Sequence, residues 1–467
     1  MEKEFDVIVI GAGPAGEVMA GRLRDRGEKQ VALVERELVG GECSFYACMP
    51  SKSLLRPAEA LREARRVAGA AQAATGELDV QAVLDRRDEV IHNLDDSAQM
   101  PWIEERNIEL VRGPARLEGE RRVRVGDDVL LARDAIVLGV GSAALFPPIP
   151  GLAEADAWSN RQITTSRSVP PRLLVLGGGV VGVEMAQAWS SLGSKVTVIE
   201  AGDRLLAREE PFAGELVGDG LRAAGVEIHL GVKATEVRRS GEEVTATLES
   251  GESVTGTHLL VAIGRTPRTE GLGLESIGLP GKGYVEVDDH LRVADHPWLY
   301  AIGDVNGRSL LTHSGKYQAR VAADVILGEN AAAIWDTRGA PRVVFTDPQV
   351  AAVGLTLEQA QEQGRDVVSI DLDTEATAGG SFYGHGAEGQ TRFVVDRSHD
   401  VLVGVTFVGP EMSDFLQAAT IAIVGEVPVS RLAHAVAPFP TRSELWLQFV
   451  EAYERERGVS MHAEKPS

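Results

Sequence analysis

A short apolar strand runs straight into a glycine loop twice in this chain, and that repetition constrains the fold more than any other feature. Residues 5–10 are dominated by Val and Ile and read as a buried parallel strand. Gly11-Ala12-Gly13-Pro14-Ala15-Gly16 follows, then a helix-like run to Leu23 and a second short strand over 31–34 that ends at Glu35. Gly11, Gly13 and Gly16 permit a tight turn and let a pyrophosphate approach a helix N-terminus, while Glu35 is placed to accept hydrogen bonds from a ribose. The device returns as residues 173–176, Gly177-Gly178-Gly179-Val180-Val181-Gly182, a helix-like stretch, and residues 195–199 ending at Glu200. Here Gly177, Gly179 and Gly182 repeat the pattern. A lone glycine motif is weak, but strand, loop, helix, strand and terminal acid in order are strong.

Two such units predict FAD and a nicotinamide cofactor on one chain; a single site with a degenerate copy is the plainer alternative. Glu200 predicts NADH over NADPH, because its charge accepts ribose hydroxyls and repels an added phosphate. Arg204 pulls the other way: it could bind that phosphate or simply sit near a helix end.

With 467 residues the chain has room for two or three domains. Its 51 glycines show no collagen-like period and fit an α/β protein with many turns and close backbone approaches. A formal net charge of -22 argues against a nucleic-acid surface, though a small anionic substrate in a local basic pocket stays open. Met1 leads through Glu2, Lys3 and Glu4 directly into a strand, with no signal-peptide pattern, and no apolar run is long enough to span a membrane. The expectation is a cytoplasmic protein. Residues 254–263 read as a returning strand. In Leu299-Tyr300-Ala301-Ile302-Gly303-Asp304, Gly303 would allow close flavin approach and Asp304 would bind a polar part of it. Further on, residues 401–407 read as a strand, and 415–424 and 444–453 as helices, giving an α+β module.

Only two cysteines occur, five positions apart, in Gly40-Gly41-Glu42-Cys43-Ser44-Phe45-Tyr46-Ala47-Cys48-Met49-Pro50-Ser51-Lys52. A local disulfide is feasible if the helix start is distorted; two isolated buried thiols is the plainer reading. Metal binding is disfavoured, because the pair lacks other convincing ligands.

At this segment the chain resembles the flavoprotein disulfide reductases with two dinucleotide domains: dihydrolipoamide dehydrogenase, glutathione reductase and mercuric reductase. The resemblance runs over nearly the whole length. It rests on both glycine loops, the cysteine segment ending in Pro50-Ser51-Lys52, Gly139-Val140-Gly141-Ser142, Glu184, Gly264-Arg265-Thr266-Pro267, Asp304, Asp347-Pro348 and Pro440-Thr441-Arg442-Ser443-Glu444. It implies an FAD-binding domain in two parts (residues 1–150 and 274–339) around an NAD(P)-binding domain (151–273). A C-terminal dimerisation domain (340–467) would complete a homodimer. It further implies that Cys48 is the flavin-proximal cysteine and Cys43 the interchange cysteine. Lys52 would lie near the flavin N5 region and pair with Glu184. Gly41, Gly141 and Gly264 would join the cofactor-binding set.

The chain departs from that pattern in three places. The C-terminal His position holds Phe439, which cannot shuttle a proton, although Glu444 is kept and would serve from the partner subunit. His434 is a candidate substitute, with His313 and His385 weaker ones; a packing or surface role is the plainer reading of His434. Val180 stands at the frequent aromatic gate and Val140 at a usual threonine. Tyr46 and Phe439 could suit a flat acceptor or merely fill space, and Arg442 could attract an anionic substrate or pair with Glu444. The expected reaction passes hydride from NADH or NADPH to FAD, then to the Cys43–Cys48 pair, then to a disulfide or another small electrophilic acceptor. Direct reduction of a quinone from FAD, and a flavin-containing redox sensor or binding protein, are the alternatives.

Overall fold

The structure, a computed structural model, describes residues 1–462. The first sheet is built around Glu2–Ile10, which pairs in parallel with Val31–Glu35 on one side and Asp128–Leu138 on the other. Glu109–Arg112 extends it in parallel beyond Val31–Glu35. Arg122–Val125 and Ala115–Leu117 add antiparallel strands at the opposite edge. The central strand begins earlier than the apolar run, because Glu2–Phe5 already pairs with Val129–Ala132 before a bulge. Its side chains alternate faces, as the two-residue period requires. Val7 and Val9 pack with Met19 and Leu23 of the Pro14–Gly27 helix, while Ile8 and Ile10 pack with Leu117 and Leu130. Leu299–Ala301 returns to this sheet alongside Ile136–Leu138, and the Thr312–Ile326 helix that follows lies against Pro14–Gly27.

A second parallel sheet runs in the order Glu227–His229, Lys195–Ile199, Arg172–Leu176, His258–Val261. The Val180–Ser191 helix is buried along most of its length, with Trp189 fully enclosed. The strand expected over residues 254–263 is two strands in different sheets. Ser253–Gly256 pairs antiparallel with Glu243–Leu248, and His258–Val261 pairs in parallel with Arg172–Leu176. Thr257 makes the break, donating its N–H and its hydroxyl to the Arg172 carbonyl at 2.8 and 2.9 Å. A side chain at Gly256 would meet Leu174 at 2.8 Å, so glycine inside a β-rich run marked the junction. Ser142–Ala144 and Arg265–Pro267 pair as a two-stranded crossover between the units.

The C-terminal unit is an antiparallel sheet in the order Arg342–Val344, Gln349–Gly354, Val401–Gly409, Gln390–Asp396, Val367–Asp373. Helices Met412–Val424 and Glu444–Arg457 cover it, both longer than the sequence pattern predicts. Phe393 stacks on Phe449 at 4.3 Å and meets Phe407 edge-on, which fixes the Glu444–Arg457 helix to the sheet. The architecture is α/β: two Rossmann-like units and a C-terminal α+β domain. Among the described residues no helix is long and apolar enough to cross a membrane.

Gly256→Ala should lower the thermal unfolding midpoint, at a cost of about 1–3 kcal/mol for forcing a methyl against Leu174. Ser253→Ala, at an exposed position of the same strand, controls for effects unrelated to packing; equal midpoints for Gly256→Ala and wild type would contradict the packing account.

Candidate functional site

The two glycine loops have the same geometry, residue for residue. Gly11 and Gly177 sit at φ +102° and +106°, where a side chain would be strained. A Cβ on Gly16 would lie 1.9 Å from the Gly11 carbonyl oxygen, and one on Gly182 would lie 1.9 Å from that of Gly177. Only glycine lets each helix start so close to its own loop. Gly13 and Gly179 face open space and cap their helices without any side-chain hydrogen bond. Both helix starts therefore present uncapped N–H groups, which suit a pyrophosphate. The acids match too. Glu35 accepts from the N–H groups of Ala12 (2.8 Å) and Glu37 (2.7 Å), and Glu200 from those of Gly178 (2.5 Å) and Gly202 (2.6 Å). The residues present fit two dinucleotides.

Between these loops lies one cavity of about 1420 Å³. It is lined by Gly11, Gly13, Glu35, Gly41, Cys43, Cys48, Lys52 and Gly141 from the first unit and crossover, and by Gly177, Gly179, Glu184, Glu200 and Gly264 from the second; Gly303 and Asp304 complete it. Gly16 and Gly182 act from behind the wall, through helix packing. Gly41, at φ +61°, approaches Gly13 so closely that a Cβ would meet its Cα at 2.8 Å.

The cysteine segment is two helices broken at Tyr46 and Ala47. Cys43 belongs to Gly41–Phe45, and Cys48 opens Cys48–Arg66. The break brings the half-buried thiols together, and Thr312 joins them. Its hydroxyl donates to Cys43 Sγ at 3.2 Å and lies 3.5 Å from Cys48 Sγ. The thiols differ in acidity. Cys48 is pushed down to about 6, first by a hydrogen bond from the Cys43 thiol, then by Thr312 and the Lys52 charge, against burial. Cys43 is raised, by that same bond and by burial. The first proton therefore leaves Cys48.

Lys52 donates to Glu184 at 2.8 Å and stands over the Phe345 ring. Glu184 is buried and also accepts from the Phe345 N–H at 3.0 Å. Asp304 accepts from the Ser142 hydroxyl, which in turn accepts from Arg265 at 2.6 Å. Gln318 accepts from the Gly303 N–H at 2.7 Å and fixes that turn.

Several expected site features lie elsewhere. Glu444 does not line the cavity; it opens its helix and accepts from the Gly379 N–H at 3.2 Å. Phe439 is 77% exposed. None of His434, His313 and His385 lines the cavity, and His434 packs edge-on against His462. Arg442 neither pairs with Glu444 nor faces the cavity. Its guanidinium lies 3.9 Å from the Tyr383 ring centre and donates to Tyr383 and to the Pro410 carbonyl. Tyr46, by contrast, does line the cavity, with Arg161 over one face of its ring at 4.4 Å. Arg204 bonds the Ala207 carbonyl and does not line the cavity.

Sequence reasoning missed Thr312, which sits in an ordinary helix-start pattern eight residues after Asp304. It also missed the supports of the break. The Tyr46 carbonyl accepts from Asn160 (3.0 Å) and Thr164 (3.0 Å), and Glu42 is held by Arg161 and Arg268 at 2.6 and 2.7 Å. These partners lie more than a hundred residues downstream, with no local spacing to reveal them.

Residues 5–323 match the family described as pyridine nucleotide-disulphide oxidoreductase, and residues 340–449 match its dimerisation domain. A dihydrolipoyl dehydrogenase of Thermus scotoductus is 35% identical over 97% of this chain and 98% of its own length. A mercuric reductase of Staphylococcus aureus is 30% identical over 94% of this chain and 81% of its own. Among solved structures, the Cu(II) complex of the HOCl-induced flavoprotein disulfide reductase RclA from Escherichia coli superposes with a TM-score of 0.84 at 26% identity, covering 96% of this chain and 98% of that one.

In the reduced protein, alkylation of Cys48 by iodoacetamide should follow a thiolate titration with a midpoint near 6, so the rate falls as pH drops below that value. Thr312→Val removes a donor to the thiolate and should move the midpoint upward. A wild-type midpoint at the ordinary thiol value would contradict the described arrangement.

Proposed function

We propose that this chain, which belongs to the pyridine nucleotide-disulphide oxidoreductase family, is an FAD-dependent enzyme that prefers NADH and delivers electrons through Cys43 and Cys48 to a small electrophilic acceptor. The observation that carries this reading is the meeting of both glycine loops, the paired thiols and the Lys52–Glu184 ion pair on one cavity. FAD, when bound, supplies the two-electron carrier between nicotinamide and sulfur.

The residues divide the work. Gly11, Gly13 and Gly16, with Glu35, Gly41, Gly141, Gly303 and Asp304, form the FAD cradle; Gly177, Gly179, Gly182, Glu200 and Gly264 form the nicotinamide cradle. Lys52 places positive charge beside Cys48, and Glu184 holds the ammonium in position. Cys48 keeps the thiolate, while Cys43 holds the more strongly bound proton and meets the acceptor. With a disulfide acceptor, Cys43 attacks one sulfur and gives up its proton, and the acceptor S–S bond breaks to release a first thiol that takes up that proton. Cys48 then attacks Cys43, which restores the protein disulfide and frees the second thiol. The domain map follows the same division: 1–150 and 274–339 bind FAD, 151–273 binds the nicotinamide, and 340–467 forms the homodimer, to which Glu444 contributes from the partner.

Glu200 supports NADH, because it places a carboxylate where a ribose phosphate would be repelled, and Arg204 does not face the cavity. Arg208 and Lys233 line the same cavity and make the preference worth measuring. A second acceptor reading is reduction of cupric ion, favoured by the structural neighbour solved as a Cu(II) complex and by the two thiols on the cavity, whose soft sulfur suits the cuprous product.

Anaerobic stopped-flow of the FAD-loaded protein tests both halves. NADH should reduce it at least about tenfold more efficiently than NADPH, a ratio equivalent to roughly 1.4 kcal/mol; Glu200→Gln should narrow the gap. A disulfide or Cu(II) should reoxidise reduced wild type and fail with Cys43→Ser. Equal reoxidation of both proteins by a quinone, with no response to disulfide or Cu(II), would overturn the dithiol route and favour direct transfer from FAD.

A further inference from the structure

The Cys43 thiol presents a problem that its surroundings address. Its bond to Cys48 and burial hold the proton on, and no histidine is in the described lining of the cavity to take it. The Thr312–Ile326 helix lies against Pro14–Gly27 with almost no gap, since a Cβ on Gly315 would meet Gly303 at 3.2 Å and Ala15 at 3.4 Å. Thr312, at the head of the first of these helices, is bonded to Cys43. Lys316 stands four residues on, one turn along the same face. Across from it, in the first turn of Pro14–Gly27, is Glu17.

We infer that Lys316, one turn beyond Thr312, favours the ionised form of Cys43 against its burial, and that Glu17 moderates it, beside a cavity whose described lining holds no histidine. This rests on Cys43 being the sulfur that meets the acceptor. Lys316 acts through Cys43 and not on substrate, because it does not line the cavity. Its ammonium makes no ion pair within 4 Å among the described residues, so its charge is not cancelled by a contact partner. Two groups register that charge: it favours the ionised forms of Glu17 and of Cys43, lowering the pKa of each. Burial raises Glu17 to about 7, so above neutrality its carboxylate offsets part of the Lys316 field.

Other charges around this cluster are already engaged. Arg22 and Arg26, on the same helix as Glu17, share Asp324, and Arg26 also meets Glu329. Glu42, beside Cys43, is tied to Arg161 and Arg268. Lys52 and Glu184 act on the Cys48 side, and Glu35 acts on Glu17. His313 and Arg320, on the Lys316 helix, are exposed.

The test uses the full-length FAD-loaded protein with Cys48→Ser, so that one thiol remains and intact-mass detection of iodoacetamide alkylation reports Cys43 alone. Lys316→Gln should raise the alkylation midpoint by about one pH unit, and Lys316→Arg should restore it. Glu17→Gln should move it the opposite way, downward, because it leaves the Lys316 charge unopposed. Flavin retention confirms folding of each variant. Opposite shifts support the inference; an unmoved midpoint, or shifts of the same sign, overturns it. Because no acceptor is added, the outcome is separate from whether disulfide, Cu(II) or quinone is the substrate.

Discussion

A single carboxylate joins the three parts of this molecule. Glu184 rises from the helix of the second glycine loop, accepts from Lys52 on the cysteine-bearing helix at 2.8 Å, and accepts from the N–H of Phe345 at the start of the C-terminal unit at 3.0 Å. Its side chain is 4% exposed while that of Lys52 is 35% exposed, so the pair is buried from one side only. Removing the lysine would strand a buried charge, at roughly 3 kcal/mol, whereas removing both partners together would cost much less. An ion pair of this kind contributes registration more than raw stability. It fixes where the thiols stand relative to the second loop, and the common cavity depends on that distance.

Much of this was legible in the chain because the chemistry is local. Gly16 and Gly182 are dictated by contact with the carbonyls of Gly11 and Gly177, five residues earlier in each loop, so the loops announce themselves. The strand–loop–helix–strand–acid order then gives both cradles and the fold class. The pairing of Lys52 with Glu184 came from resemblance and not from spacing, and the geometry agrees with it. Thr312, Asn160 and Arg161 were invisible for the opposite reason: each reaches the cysteine segment from a distant element, and its own neighbourhood carries no mark of the task. Arg442 misled because a cation beside an acid suggests a pair, while an aromatic ring and a carbonyl elsewhere in the fold claimed it. The run over residues 254–263 misled by composition, since β-propensity says a segment is extended but not which sheet receives it.

The sulfur pair shows how asymmetry arises from a nearly symmetric motif. Both thiols are half-buried and both touch the same hydroxyl, which has one proton to give. What separates them first is the bond between them, which holds the proton on Cys43 and lowers Cys48, and the Lys52 charge then adds to the lowering of Cys48. Division of labour between nucleophile and electron-side sulfur thus begins in the cysteine segment itself and is reinforced by Lys52 on the Cys48–Arg66 helix.

The C-terminal unit has a different consequence. Ile421, Val436, Phe439 and Leu447 stand largely bare on one protomer, in a domain that matches the family's dimerisation domain. Homodimerisation through this domain makes part of the free energy that holds each protomer together obey mass action. Dilution then acts as a denaturant: a melting temperature for this protein is a function of concentration, and a single value has meaning only with the concentration attached.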